Sequence, residues 1–287
     1  MMKSIQDTYT MNNGMKIPCI GFGTYKTVKN NDCEIIKKAI EVGYRYFDTA
    51  SLYKTEEALG QAIAESYIPR EEFIVASKLW KEDMGYQNTK KALYDSLEKL
   101  RMDYIDIFLI HWPRVSNDYN EWKELNIETW KAMEELVKEG KVKSIGLSNF
   151  LPHHIEVILD NCEIKPVVNQ LELHPGYMQY ATIEYCKNHD IQVQAWSPLG
   201  RQRLNEHPLL IELSKKYKVS IAQICLRFLL QLDIVALPKA STVERMRENK
   251  SIFDFNIEKE DMYRLLTLPM YGWSGEFPDP EFATKNK

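Results

Sequence analysis

The chain has 287 residues, 44% of them apolar and 27% charged, with a formal net charge of −4, so it can bury one large core and carries no basic excess to suggest nucleic acid. Its five widely spaced cysteines form no C-x-x-C pair and read as free thiols, mostly buried, in a reducing compartment. MMKSIQDTYTMNNG lacks an apolar leader, and no run approaches the ~18 apolar residues of a membrane span, so a soluble cytoplasmic protein without membrane contact is expected.

In chain order, TYTM, NNG and MKIPCI predict an N-terminal hairpin over about residues 8–18, turning with positive φ at Asn13-Gly14. Strands and helices then alternate. CIGFGTY is a strand, and NDCEIIKKAIEVG is a helix capped by Asp32 and stopped at Gly43. YRYFDT, EEFIVASKLW, YIDIFLIHWP, VKSIGLSNF, KPVVNQLELHP, IQVQAWSPLG and IVALPKA are further strands. Between them lie the helices KTEEALGQAIAES, NTKKALYDSLEKLRM, IETWKAMEELVKEGK, LPHHIEVILDNC and MQYATIEYCKNHD. The pair HPLLIELSKKYKV and SIAQICLRFLLQLD follows, and TVERMRENKSIF comes last. Strands this continuously apolar suit a parallel sheet buried on both faces.

Eight strand–helix units over about residues 18–253, with no linker or composition break, predict a single (β/α)8 barrel spanning residues 1–287, with a short tail over about 268–287. A doubly wound open sheet is the alternative. Its dinucleotide fingerprint fails here, because GFGTYK places Lys26 where the third glycine or alanine belongs.

The strand ends carry the functional signal. In a barrel, side chains at the C-terminal rim face the active-site mouth. Reading those positions gives Thr24, Asp48, Lys78, His111, Ser148 with Asn149, Gln170, Trp196 with Ser197, and Lys239. Taken singly, Asp48 reads as a turn former, Lys78 as a surface lysine, His111 as a core histidine and Tyr53 as one tyrosine among sixteen. Together they are expected to converge, with Asp48 pairing Lys78, since buried charges need partners. An ammonium beside a phenol lowers its pKa, so Lys78 is expected to make Tyr53 acidic enough to use, while a neutral His111 orients a substrate oxygen. No metal-ligand cluster is found. His153 and His154 read as solvated, His174 as structural at a strand end, and His189 and His207 receive no role.

These motifs resemble the aldo-keto reductase superfamily. GFGTYK, GYRYFDTASLY, SKLW, DYIDIFLIHWP, SIGLSNF, VVNQLELHP, QAWSPLG and LPKASTVERMRENKSIFDF fall in the family's order and spacing from about residue 18 to 255. The resemblance implies a barrel that reduces aldehydes and ketones with NADPH, with Asp48, Tyr53, Lys78 and His111 as the catalytic tetrad and Tyr53 as the general acid. It implies cofactor contacts from Gly23, Thr24 and Asp48, and from Ser148, Asn149 and Gln170 at the carboxamide. Trp196 would stack on the nicotinamide, and Ser197 and Leu199 would cover the pyrophosphate. Lys239 and Arg245 would grip the 2′-phosphate, and Glu248 and Asn249 would contact adenine. Tyr25, Trp80, His111 and Trp112 would form the substrate wall. Ala240 departs from the family pattern, which often has serine after the phosphate-gripping lysine, so Ser241 and Thr242 become candidate substitutes. The compact tail resembles bacterial reductases of keto-sugars, glyoxals and small dicarbonyls, and a monomer or weak dimer acting on a small carbonyl partner is expected. A nucleotide-sensing regulatory barrel with little turnover, and a non-redox isomerase using Tyr and Lys, stay open as alternatives.

Overall fold

The computed structural model describes residues 2–28, 32–115 and 119–279. Parts of the expected first helix (Asn31), of the loop after the fourth barrel strand and of the C-terminal tail therefore lie outside the described residues. A two-stranded antiparallel hairpin, β1 (Thr8–Thr10) and β2 (Lys16–Pro18), opens the chain, with Tyr9 opposite Ile17. The sequence reading put positive φ at Asn13-Gly14. The structure gives it to Gly14 alone, at +84°, where the Gly14 amide closes a turn on the Met11 carbonyl at 2.9 Å.

Eight parallel strands follow: β3 (Phe22–Gly23), β4 (Tyr46–Asp48), β5 (Ile74–Leu79), β6 (Ile105–Ile110), β7 (Val142–Ser148), β8 (Val168–Glu172), β9 (Gln192–Trp196) and β10 (Val235–Leu237). Each pairs with its neighbour in sequence order. A parallel bridge from Ile20 to Ala236 and the Gly23 amide bonded to the Pro238 carbonyl at 3.0 Å join the last strand to the first. The expected (β/α)8 barrel is thus the fold.

The helices are α1 (Glu34–Val42), α2 (Glu56–Ala64), α3 (Tyr86–Leu100), α4 (Tyr119–Lys138), α5 (Pro152–Leu159), α6 (Tyr180–Asn188), α7 (Pro208–Tyr217), α8 (Ile221–Gln231), α9 (Val243–Lys250) and α10 (Lys259–Leu266). Local chemistry sets several ends. The Asp32 carboxylate accepts from the Glu34 amide at 2.9 Å, Gly43 terminates α1 at φ +110°, and Ser220 and Gln223 form a capping box on α8. Most helix limits shift by a few residues from the sequence reading, and two differences are larger. Helix α4 begins at Tyr119, eight residues before Ile127, where the apolar periodicity becomes clear. Helix α10 was not foreseen. Its charged sequence buries only Asp261 and Leu265 fully, a weak apolar stripe.

Two apolar cores separate along the strands. Phe47, Val75, Phe108, Ile145, Leu171 and Val193 pack outward against the helices. Tyr46, Ala76, Ile107, Leu109, Val168, Val235 and Leu237 fill the barrel, and Met11 and Ile17 of the hairpin join that inner cluster. Strand side chains alternate faces, so one step of two residues past this inner layer reaches the rim on the same face. From Tyr46 that step gives Asp48, from Ala76 Lys78, from Leu109 His111, from Val168 Gln170 and from Leu237 Lys239.

All five cysteines are free, with Cys19, Cys33, Cys186 and Cys225 buried and Cys162 partly so, and no described helix is long and apolar enough to cross a membrane. Histidine 154 corrects the sequence reading. It is fully buried rather than solvated, because its ring reaches a carboxylate across the fold, while His153 beside it stays 41% exposed.

The contact between α2 and α3 offers a test of this packing. A Cβ on Gly60, mid-α2, would lie 2.1 Å from the Leu100 carbonyl oxygen. Gly→Ala in a helix normally gains about 0.5–1 kcal/mol, but overpacking costs about 1–3 kcal/mol. Gly60→Ala is therefore expected to lower the urea midpoint, and an unchanged or raised midpoint contradicts this close helix approach.

Candidate active site

The rim side chains meet in a cavity of ≈ 1260 Å3, above the ~300–1,000 Å3 usual for a small-molecule site. At its floor Lys78, with no solvent exposure, donates to Asp48 Oδ2 at 2.7 Å and to the Thr49 carbonyl at 3.0 Å. The third ammonium contact is the Tyr53 hydroxyl at 3.3 Å. Tyr53 stands in the 3-10 turn Ser51–Tyr53 directly after β4, and its hydroxyl also lies 3.4 Å from His111 Nε2. Both contacts to the phenol are at the long end of hydrogen bonding.

The electrostatics differ in one respect from the sequence expectation. The Tyr53 phenol is held well above its ordinary pKa, first by burial and then by the Asp48 charge. The Lys78 ammonium 3.3 Å away favours the phenolate, but burial and the Asp48 charge outweigh it. Lys78 itself is lowered by burial, against the raising effect of Asp48. His111 is held well below the ordinary imidazole value by burial and then by Lys78, which keeps its ring neutral. The floor is thus a protonated phenol flanked by an ion pair and an uncharged imidazole, a hydrogen-bond donor set for an oxygen atom.

Gln170 and Asn149 are held from behind. Gln170 Nε2 donates to Asp48 Oδ1 at 2.8 Å and reaches Gln194 Oε1 at 3.2 Å, so what Gln170 offers a ligand in the cavity is its acceptor Oε1. The Asn149 amide donates to the His111 carbonyl at 2.9 Å and to Ser148 Oγ at 3.1 Å, and its oxygen accepts from Trp196 Nε1 at 2.8 Å. Asn149 adopts φ +63°, a left-handed conformation that Asn tolerates better than most residues. Its side chain fixes both the His111 backbone and the Trp196 indole.

Most of the residues singled out from the sequence line this cavity: Gly23, Tyr25, Asp48, Tyr53, Trp80, His111 and Trp112 on one side, and Asn149, Gln170, Trp196, Ser197, Leu199, Lys239, Arg245, Glu248 and Asn249 on the other. Lys78, Thr24 and Ser148 are not on the wall; Lys78 lies beneath it and touches the Tyr53 hydroxyl. Thr24 Oγ1 bonds the Asp48 carbonyl at 3.0 Å and Thr55 at 2.8 Å, and Ser148 Oγ donates to the Gln170 carbonyl at 3.0 Å, so both brace the rim from within. Tyr25 packs on Tyr53 with ring centroids 4.9 Å apart, and Trp80 meets His111 edge-on at 5.2 Å. Ser241 lines the cavity, whereas Thr242 caps α9 by accepting from the Arg245 amide.

Several wall and support residues escaped the sequence reading. Arg201 lies 5.3 Å over the Trp196 ring and reaches Glu276 at 3.4 Å, and Phe277 and Pro278 of the tail line the cavity. Glu172 sits two residues beyond Gln170 on β8 and is buried. The strand-exit rule applied one step further would have found it. Arg114, which lines the cavity and pairs with Asp279, and Glu276 had no local signal, because their roles depend on which distant loop folds against them.

Comparison with known proteins agrees with this architecture. A family model described as Aldo/keto reductase family matches residues 19–268. The glyoxal reductase of Bacillus subtilis (strain 168) is 42% identical over 280 residues, covering 97% of this chain and 99% of that protein. Methylglyoxal reductase DkgA of Escherichia coli O157:H7 is 38% identical over 273 residues, covering 94% and 96%. A solved aldo/keto reductase structure from Brucella melitensis aligns with a TM-score of 0.85 at 40% identity, covering 90% of this chain and 98% of that one. With the barrel, the rim constellation and this whole-length similarity in agreement, the chain belongs to the aldo/keto reductase family.

Proposed function

We propose that this protein reduces small aldehydes and ketones to alcohols with NADPH as the reductant, Tyr53 being the proton donor. The observation that carries the reading is the Tyr53 hydroxyl set between Lys78 at 3.3 Å and His111 at 3.4 Å on the cavity floor. The residues present fit a phosphorylated dinucleotide on their own chemistry. Gln170 has an acceptor left for an amide after binding Asp48. Trp196 is an aromatic face fixed by Asn149. The wall also carries Lys239, Ser241 and Arg245, and among the described residues no carboxylate forms an ion pair with Arg245. Arginine suits phosphate because its planar fork donates two hydrogen bonds at once.

When bound, the nicotinamide supplies a hydride to the carbonyl carbon. The protein's part is the proton. As the new C–H bond forms, the π pair of the C=O bond moves to oxygen, and Tyr53 gives that oxygen its proton. The resulting phenolate lies beside the Lys78 ammonium, whose attraction strengthens as the negative charge appears on Tyr53. A raised resting pKa suits this direction, since the acid must be protonated before the step. Neutral His111 donates a hydrogen bond to the same oxygen and orients the carbonyl. Tyr25, Trp80 and Trp112 make an apolar wall for a compact substrate. The names of the relatives, glyoxal and methylglyoxal reductases, favour small dicarbonyls as the first compounds to try. The nucleotide-sensor reading predicts cofactor binding without turnover across such a panel, and the isomerase reading predicts no quenching of tryptophan fluorescence by NADPH.

Three outcomes are expected. Tyr53→Phe should lower kcat for methylglyoxal reduction by about 10²–10⁴-fold, the range for a positioned acid, with NADPH binding retained; activity within a few-fold of the parent removes Tyr53 from the role. Arg245→Ala should weaken NADPH far more than NADH in fluorescence titrations, and equal losses remove the 2′-phosphate assignment. Because His111 is held below its ordinary 6.5, the imidazole stays neutral as pH falls through that value. The profile of kcat/KM should therefore lack an acid limb near pH 6.5, and a limb there that disappears in His111→Gln contradicts the neutral ring.

A further inference from the structure

The carbonyl end of the cavity is closed by a segment with no secondary structure. Gly275, Glu276, Phe277 and Pro278 line it together with Trp112 and Arg114, yet residues 272–279 form neither helix nor strand. Two buried carboxylates hold this span at its ends. Glu172, at the end of β8, accepts from the Ser274 amide at 3.1 Å, from the Ser274 hydroxyl, and from Arg203 Nη2 at 3.3 Å. Arg203 also donates from Nε to the Gly272 carbonyl at 2.6 Å.

At the other end Asp279, 6% exposed, receives Arg114 Nη1 at 3.1 Å and His154 Nε2 at 3.0 Å on Oδ1, with His153 Nε2 3.3 Å from Oδ2. Arg114 follows Trp112 on the loop after β6, and the two histidines open α5. The two imidazoles and Asp279 bring three potential metal-ligating atoms within 4.8 Å of one another. The donor pattern is nevertheless that of a hydrogen-bonded clasp. His154 Nδ1 accepts from the Leu151 amide at 3.2 Å, which leaves the ring proton on Nε2 facing the carboxylate, and a guanidinium occupies the same oxygen.

Buried charges seldom add net stability over apolar packing, because desolvation offsets their attraction. What they do supply is register, since a misplaced partner leaves an uncompensated charge. A clasp of this kind at each end of an unstructured span fixes where the intervening residues stand. We propose that Asp279 is a positioning residue for carbonyl reduction: held by Arg114 and His154, and with Glu172 as the second anchor, it sets the Gly275–Pro278 span against Trp112 and so determines the affinity for the carbonyl substrate. This rests on the reductase reading above. It assigns Asp279 no contact with the reacting atoms and no part in cofactor binding.

The test compares Asp279→Ala, Asp279→Asn and Asp279→Glu in the full chain with methylglyoxal and a bulkier nitrobenzaldehyde. The Ala and Asn variants are expected to raise the carbonyl KM by about tenfold, equivalent to ~1.4 kcal/mol of lost substrate binding. Their kcat should stay within a few-fold and NADPH affinity by fluorescence should be unchanged, with Asp279→Glu recovering part of the loss. Hydrogen exchange at the Ser274 and Glu276 amides should accelerate in the Ala and Asn variants while the barrel strands are unaltered. Unchanged KM with unchanged tail exchange overturns the proposal. A parallel loss of NADPH affinity, or a lowered thermal midpoint with KM intact, also overturns it, because the clasp is then a general brace. If the parent protein reduces no carbonyl, the reductase reading fails, and the exchange comparison still decides whether Asp279 anchors the tail.

Discussion

A lysine ammonium without any solvent contact is the constraint from which the rest of the site follows. Lys78 stands on the inner face of β5, directly above the apolar filling of the barrel, where an isolated charge costs several kcal/mol. Asp48 on the adjacent strand compensates it at 2.7 Å, and removing either partner alone leaves a buried unpaired charge. The requirement extends outward. Asp48 is itself held by Gln170 from the opposite side of the barrel, and Gln170 by Gln194, whose oxygen also accepts from Tyr46 at 3.0 Å. One ion pair thus ties four strands together across the top of the core.

That arrangement suits a phenol with a raised pKa to the proposed proton transfer. Balanced by Asp48, Lys78 does little for the neutral phenol. Its value appears in the proposed reaction as Tyr53 loses its proton, when a negative charge forms 3.3 Å away. The preference is for the charge that develops, not for the resting state, which is what catalysis needs. Neutral His111 belongs to the same logic, because burial first and then repulsion from Lys78 disfavour a second cation there. The cavity walls add a separate layer. Asn149 fixes the Trp196 indole on one side, and the tail tied down by Glu172 and Asp279 closes the other.

The barrel was legible because eight strands end in the same way, and the floor of the site because period-2 alternation carries the inner layer onto the rim. Asp48, Lys78, His111 and Gln170 are each two residues beyond an interior apolar residue. The same rule could not tell a wall residue from a brace. Thr24 and Ser148 occupy rim positions by register, yet their hydroxyls are engaged by neighbouring carbonyls. The charged α10 and the first turns of α4 carried too little apolar periodicity to be read. His154 looked solvated because its partner lies 125 residues away.

The sequence by itself determined the order of elements, the inward face of each strand and the presence of a carboxylate, an ammonium, a phenol and an imidazole at neighbouring rim positions. Those follow from local periodicity and side-chain chemistry, which act over a few residues. Only the tertiary structure decided which of these groups neutralise one another, that burial holds the Tyr53 phenol up and the His111 ring uncharged, and that Arg114, His154 and Asp279 meet. Burial and pairing are properties of the closed barrel and its returning tail, and electrostatic energies depend on distances that no local stretch of sequence contains.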